Sequence, residues 1–287
     1  SVATLEPRGT PGRSGVVRLP HAGAGVGAYA GWQADFPDWL ELWVVQLPGR
    51  GARAAEPMFT CMSDLTDAVA TALQQGGLLS APLAFFGHSF GALVAFETAQ
   101  VLRARGLSTP ACLILSGHES PSMGLPDTER GLASLPDEAL RTALDRWDFT
   151  ALARSQGVED VMDPAAGMLS TILAPMRADL QLREELLSTP PTAPTAAAIH
   201  VCGGADDASV PESSLRRWAE MTEAAFSCNL HAMLCCATLC CAVLCYAAVL
   251  HLLPSQAAFS CEMLPGGHFF LDRQLDPGSL DGLVAAI

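Results

Sequence analysis

The chain has no lysine: all 16 basic residues among its 287 are arginine. Without a lysine amine it cannot form a Schiff base with a carbonyl substrate, which excludes that route to covalent catalysis. Positive charge is scarce as well. Thirty acidic residues leave a net charge of −14 and a pI near 4.7, which argues against nucleic-acid and anionic-membrane partners. Cys61, Cys112 and Cys202 are scattered among apolar neighbours, and no C-x-x-C pair with metal spacing accompanies them. A reducing, cytoplasmic compartment and no metal are therefore expected. No secretory leader is visible. Residues 1–14 are rich in Pro, Gly and Arg, and read as a linker, the remnant of a targeting segment (which would make an organelle the destination) or a truncated N-terminus.

Half of the residues are hydrophobic, enough for one large domain, or one domain plus a lid, over residues 15–287. Strand-type runs fall near residues 15–19, 41–47, 82–86, 111–116, 197–202 and 261–264. Helical patterns fall near 29–36, 63–76, 90–105, 212–223 and 276–287. This alternation predicts a mostly parallel, doubly wound α/β sheet with helices on both faces. Residues 123–187 interrupt it, with helical patterns at 137–147, 163–173 and 177–187 and no strand between them. They read as a helical lid insertion.

Residues 87–91 read Gly-His-Ser-Phe-Gly, between a short apolar run (81–86, APLAFF) and a helical stretch free of Gly and Pro (92–105). A G-x-S-x-G sequence in a strand–turn–helix setting exposes its serine at a helix N-terminus, so Ser89 is the candidate nucleophile. Downstream, the strand at 197–202 ends in GGADDASVP, where an orienting carboxylate belongs. Asp207 is the preferred acid, at the loop tip before the next helix. Asp206 is the alternative, with turn formation as its other role. Near the C-terminus, Leu264-Pro265-Gly266-Gly267-His268 places a histidine in a glycine loop after a strand stub, the position of a general base. Of the seven histidines, His268 alone has that context. His88 beside the nucleophile and His200 in mid-strand read as packing, His118 as a residue at the pocket rim.

Upstream, the strand at 15–19 leads into His21-Ala22-Gly23-Ala24-Gly25, whose small residues suit a backbone that approaches a ligand. Acyl transfer needs N–H donors for a developing oxyanion. The expected pair is the amide of Phe90, after the nucleophile, and that of Ala22 in this early loop.

Five stretches together resemble the type II thioesterases that stand beside polyketide, nonribosomal peptide and fatty acid synthases: PHAGAG (20–25), LPGRGARAAEP (47–57), FGHSFGALVAFE (86–97), PMRADL (175–180) and LPGGHFFL (264–271). The resemblance implies an α/β-hydrolase fold and hydrolysis of acyl thioesters from the phosphopantetheine arm of an acyl or peptidyl carrier protein. It carries catalytic roles onto Ser89, Asp207 and His268, and oxyanion roles onto Ala22 and Phe90. A monomer that needs no cofactor of its own is expected. His21, Met176 and Arg177 are candidate substrate-binding residues. Met176 belongs to an apolar set (with Met162, Met168, Leu169 and Ile172) that lines an acyl channel or packs the lid on the core. Arg50, Arg53 and Arg177 form either a carrier-docking patch or structural ion pairs. Two departures stand out: Arg18 replaces an apolar strand residue, and residues 116–121 (SGHESP) replace a more basic run. The rival functions are a carboxylesterase or acyltransferase on the same core, and a catalytically dead carrier-binding module.

The largest departure is residues 229–261. Residues 230–253 are apolar with no Asp, Glu, Lys or Arg, long enough to cross a membrane by length alone. A single crossing there would separate His268 from Asp207 and Ser89 by the bilayer. Moreover, AAFSC at 224–228 recurs at 257–261, and removing residues 229–261 shortens the Asp207–His268 separation from 61 residues to 28. That is the length of one helix–strand step. The 33 residues therefore read as an insertion foreign to the fold, such as an unspliced in-frame intron. A genuine apolar insertion and a true span are the alternatives.

Overall fold

The computed structural model describes residues 4–7, 14–29, 41–147, 149, 168–191, 193–204, 207–224 and 260–264. Seven strands form one sheet: β1 (Thr4–Pro7), β2 (Gly15–Leu19), β3 (Glu41–Gln46), β4 (Leu83–His88), β5 (Cys112–Ser116), β6 (Ala198–Gly204) and β7 (Ser260–Leu264). Their order is β1-β3-β2-β4-β5-β6-β7. All neighbours pair parallel except β1, which lies antiparallel on β3. The strand at residues 4–7 falls within the stretch expected as a linker. Four residues of an edge strand carry too little alternation to be read from sequence.

β2, β3, β4 and β5 are buried at every position, as parallel strands covered on both faces must be. Two helices cover the central strands, α1 (Met62–Gln75) and α2 (Phe90–Ala104). The core gathers Leu65, Val69 and Leu73 of α1, Leu93, Phe96 and Leu102 of α2, and Phe85, Leu113, Ile199 and Val201 of the sheet. Arg18, an apolar position by resemblance, is fully buried on β2 with its guanidinium 4.6 Å from the centre of the Phe86 ring. Stacking on an aromatic face is one of the few ways to accommodate that charge in a core.

The chain runs from β2 outward to β3 and then back across to β4. The reversal opens a crevice at the carboxyl ends of β2 and β4, where a ligand binds in sheets of this type. The loop after β2 is residues 20–25, and the turn after β4 holds Ser89.

Above that edge lies the lid. It contains α3 (Asp137–Leu144) and α4 (Met168–Ser188). From Met168 on, the sequence patterns expected at 163–173 and 177–187 are joined in one helix across Pro175, residues 163–167 lying outside the described residues. Proline removes only its own N–H bond, and the 21-residue helix continues through it. After β6 come α5 (Glu212–Arg216) and a tighter turn at Arg217–Met221, together covering most of the helix expected at 212–223. Residues 229–259 lie outside the described residues, as do the helices expected at 29–36, beyond its first residue, and at 276–287. Among the described residues no helix is long and apolar enough to cross a membrane.

Two titratable groups, the partly buried Glu97 and the buried His200, give the fold a pH signature. Burial pushes Glu97 on α2 up to about 7, and pushes His200 on β6 down to about 4. Folded Glu97 holds a proton that the unfolded chain releases near 4.5. Its contribution to stability is present below 4.5 and is lost as pH rises through 7. His200 slopes the other way: stability is lost as pH falls from 6.5 through 4. Glu97→Gln is therefore expected to stabilise the protein by about 3 kcal/mol at pH 8, roughly 5–10 °C in Tm, with little gain at pH 4. Thermal melts at both pH values check this. An equal gain at both would contradict it.

Candidate active site

Ser89 is the one non-glycine residue with positive φ among the described residues, at φ 52° and ψ −121°. The flanking glycines explain how the chain reaches that conformation. A Cβ on Gly87 would overlap the Gly91 carbonyl, and a Cβ on Gly91 would overlap the carbonyl oxygen of Leu19. The turn is thus pressed between the start of α2 and the end of β2, with no space for a side chain at either glycine. The Ser89 N–H donates to Ser116 O at 2.7 Å, which pins the turn to the neighbouring strand end. His88 points into the interior, 3.1 Å from Ser116 Oγ through Nδ1 and edge-on to His21 at 5.9 Å between ring centres. It is a packing residue, as its sequence position suggested.

The loop after β2 runs beside this turn. The Ala24 N–H donates to His21 O (3.1 Å) and the Gly23 N–H to Asp179 Oδ2 (2.8 Å). No such acceptor takes the Ala22 N–H among the described residues. Phe90 opens α2, so its N–H has no intrahelical acceptor. Both amides belong to residues that line one cleft with Ser89, His21, Met176, Ser209 and Val210.

Asp207 follows β6 and is buried, with Oδ1 accepting the Ser209 N–H (2.9 Å) and the Ser209 hydroxyl (2.5 Å). This side-chain turn holds the carboxylate at the same edge of the sheet as Ser89. Its rival Asp206 lies outside the described residues. So does His268, but it follows β7 by four residues. Because β4, β6 and β7 run parallel, the chain leaves all three at one edge.

Several of the cleft's polar residues were not singled out from sequence. Arg183 Nε donates to His118 Nε2 (3.0 Å), so that nitrogen is an acceptor, and Nδ1–H donates to Glu119 O (2.7 Å). Both ring nitrogens of His118 are thus engaged, by Arg183 and by the Glu119 carbonyl. Arg183 also pairs with Glu129 (2.6 Å), which Arg146 approaches at 3.3 Å. Burial, and then the nearby Glu129 charge, holds Glu119 above the usual carboxylate range. The cleft lining therefore combines these polar groups with the apolar side chains of Leu144, Trp147, Phe149 and Leu180.

The two groups of arginines resolve differently from a docking patch. Arg50 and Arg53 are buried. The first pairs with Asp179, and the second donates to Gln46 O and pairs with Glu56. Arg177, expected to bind substrate, does not line the cleft. Its guanidinium donates to Ala133 O and Leu135 O and pairs with Asp137 (2.6 Å), clamping α4 to the lid segment before α3. Helical geometry is the reason. Met176, Asp179, Leu180 and Arg183 recur at the three- and four-residue spacing of one face, and Arg177 lies about 100° round from Met176. Met176 both lines the cleft and packs in the lid cluster with Leu140, Leu144, Phe149, Leu173 and Leu180, so the two readings of it stay open; the side chains of Met162, Met168, Leu169 and Ile172 lie outside the described residues.

A parallel sheet with a strained serine at its switch point, an acid after a later strand and a helical lid defines an α/β-hydrolase. Residues 15–277 match the family described as Thioesterase domain, and the chain belongs to that family. It is 32% identical over 216 residues to the gramicidin S biosynthesis protein GrsT of Aneurinibacillus migulanus, covering 73% of this chain and 77% of that protein. It is 30% identical over 214 residues to the thioesterase PikA5 of Streptomyces venezuelae, covering 74% and 70%. Among solved structures it resembles RedJ, a thioesterase from the prodiginine pathway of Streptomyces coelicolor, with a TM-score of 0.70 and 29% identity, covering 96% of this chain and 86% of that one. The chain is a thioesterase by family.

Proposed function

We propose that the chain removes acyl groups from the phosphopantetheine thiol of acyl or peptidyl carrier proteins, with Ser89, His268 and Asp207 as its triad. The observation that supports this reading is the strained Ser89 turn, which puts the serine in the cleft at the N-terminus of α2. His268, oriented by Asp207, takes the Ser89 proton as Oγ attacks the thioester carbonyl. The Ala22 and Phe90 amides receive the negative charge on the carbonyl oxygen. The C–S bond breaks, the thiol leaves with the proton from His268, and an acyl-serine ester remains. The same histidine then takes a proton from water, which attacks the ester and releases a carboxylic acid and free Ser89.

Residues 229–261 fit this reading as an insertion foreign to the fold. The strand β7 spells Ser-Cys-Glu-Met-Leu, and deletion of 229–261 joins Ser227-Cys228 to Glu262-Met263-Leu264, which spells the same five residues. Either copy of the repeat can supply the strand beside β6. The shortened chain is expected to hydrolyse acyl-carrier thioesters at least as fast as the full one, and to prefer them over matching oxoesters. Side-by-side kinetics on both forms test this. Activity confined to the full chain would make the segment part of the enzyme, and a preference for oxoesters would favour the carboxylesterase reading.

A further inference from the structure

An acidic residue of the lid holds the loop that carries one of the two oxyanion amides. The Asp179 carboxylate is buried beneath the lid helix α4 and meets Arg50 through two bonds, Nη1 to Oδ2 at 2.5 Å and Nη2 to Oδ1 at 2.8 Å. Oδ2 also accepts the Gly23 N–H at 2.8 Å. Arg50 in turn reaches Pro48 O (3.3 Å) and Ala24 O (3.5 Å), while Gln46 accepts the Val26 N–H and donates to Leu47 O and Arg50 O. Asp179, Arg50 and Gln46 thus reach the loop after β2 at Gly23 N–H, Ala24 O and Val26 N–H, and their other bonds tie them to one another and to the chain at 47–50. Stability alone does not explain it, because a buried ion pair is often matched by apolar residues of similar volume.

We propose that Asp179 is a positioning residue for the oxyanion hole, so that the hole is complete only while the lid helix is seated. Gly23 adopts φ 76° and has no side chain to fix its peptide plane. Asp179 fixes that plane by taking its N–H, which orients the adjoining Ala22 amide toward Ser89. The lid also closes on the loop from above: a Cβ on Gly23 would lie 3.2 Å from Met176 Cε. Residues of one helix face, Met176 and Asp179, thus set the loop's position from two sides. When α4 lifts to admit an acyl group, the Gly23 bond breaks; when it returns, the amide is re-aimed. Hydrolysis is coupled in this way to lid closure. The inference rests on the proposed role of Ala22 as an oxyanion donor.

Two variants test it, measured for kcat, KM and Tm on an acyl-N-acetylcysteamine thioester. Arg50→Met with Asp179→Leu removes both charges together, leaving no unpaired buried charge and no acceptor for Gly23. It is expected to fold, with kcat lowered about 100-fold and KM within about threefold of the parent, the signature of a lost transition-state interaction. Asp179→Asn keeps an acceptor oxygen and is expected to recover at least tenfold of that loss. A double variant with parental kcat would overturn the proposal. So would a fall in activity that comes entirely through KM, or one that Asp179→Asn shares in full while melting far below the parent. If the parent chain itself does not hydrolyse the thioester, the proposed function fails first, and this inference with it.

Discussion

Ser89→Ala is expected to lower thioester hydrolysis by on the order of 10⁴-fold or more while leaving Tm within a few degrees of the parent. The size follows from the role. A nucleophile that forms a covalent intermediate cannot be bypassed, and what remains is the modest catalysis of an oxyanion site acting on water. The unchanged melting point follows from the setting. The Ser89 side chain lines the cleft, and alanine keeps the Cβ that the turn already tolerates. Ser89→Gly separates the two effects further. Glycine adopts φ 52° without the strain that costs a residue with a Cβ of order 1–3 kcal/mol. The glycine variant should be as inactive as the alanine variant but melt higher, by about 2–4 °C for each kcal/mol of strain relieved. A glycine variant no more stable than the alanine one would mean that the serine conformation is not strained.

Gly91→Ala is expected to be severely damaging for the addition of a single methyl. A Cβ there overlaps the carbonyl oxygen of Leu19 and crowds that of Pro20, and both atoms are backbone. Neither can swing away as a side chain would, so α2 must move off the end of β2. That displaces the Phe90 amide and the loop at 20–25 together. A loss of at least 100-fold in activity and several kcal/mol in stability should follow. The comparison is Gly106→Ala, which has the positive φ (65°) that Gly91 lacks but nothing within 4 Å of its Cβ, and should cost about 1 kcal/mol with full activity. An effect at Gly91 no larger than that at Gly106 would show that the close approach to the end of β2 is not what demands glycine there.

The nucleophile turn was legible because its signal is local. A strand run, two glycines around a serine and a helix without breakers lie within about 25 consecutive residues, and the physics that strains Ser89 acts over the same span. The placement of Asp207 at the sheet edge was legible for a similar reason, an acid just past a strand end. The placement of Asp179 was not. The PMRADL run marked the segment, but Asp179 meets Arg50 across 129 residues, and nothing local says which of Arg177 and Asp179 faces inward. The spacing 176, 179, 180, 183 held that information once α4 was known to be one helix. Pro175 concealed it by splitting the pattern in two. His118 was read at the pocket rim, but its link to Arg183 and Glu129 was illegible for the same reason, since the three come from separate lid and loop segments.

The account turns on an acyl group that passes through Ser89. The most direct measurement is rapid quenching of the enzyme with a carrier-protein acyl thioester in excess, followed by mass spectrometry of the peptide containing residues 87–91. An acyl adduct on Ser89 that forms before steady state and is absent from the Ser89→Ala variant is the expected result. Turnover without any adduct on that peptide, or an adduct on another residue, would contradict it.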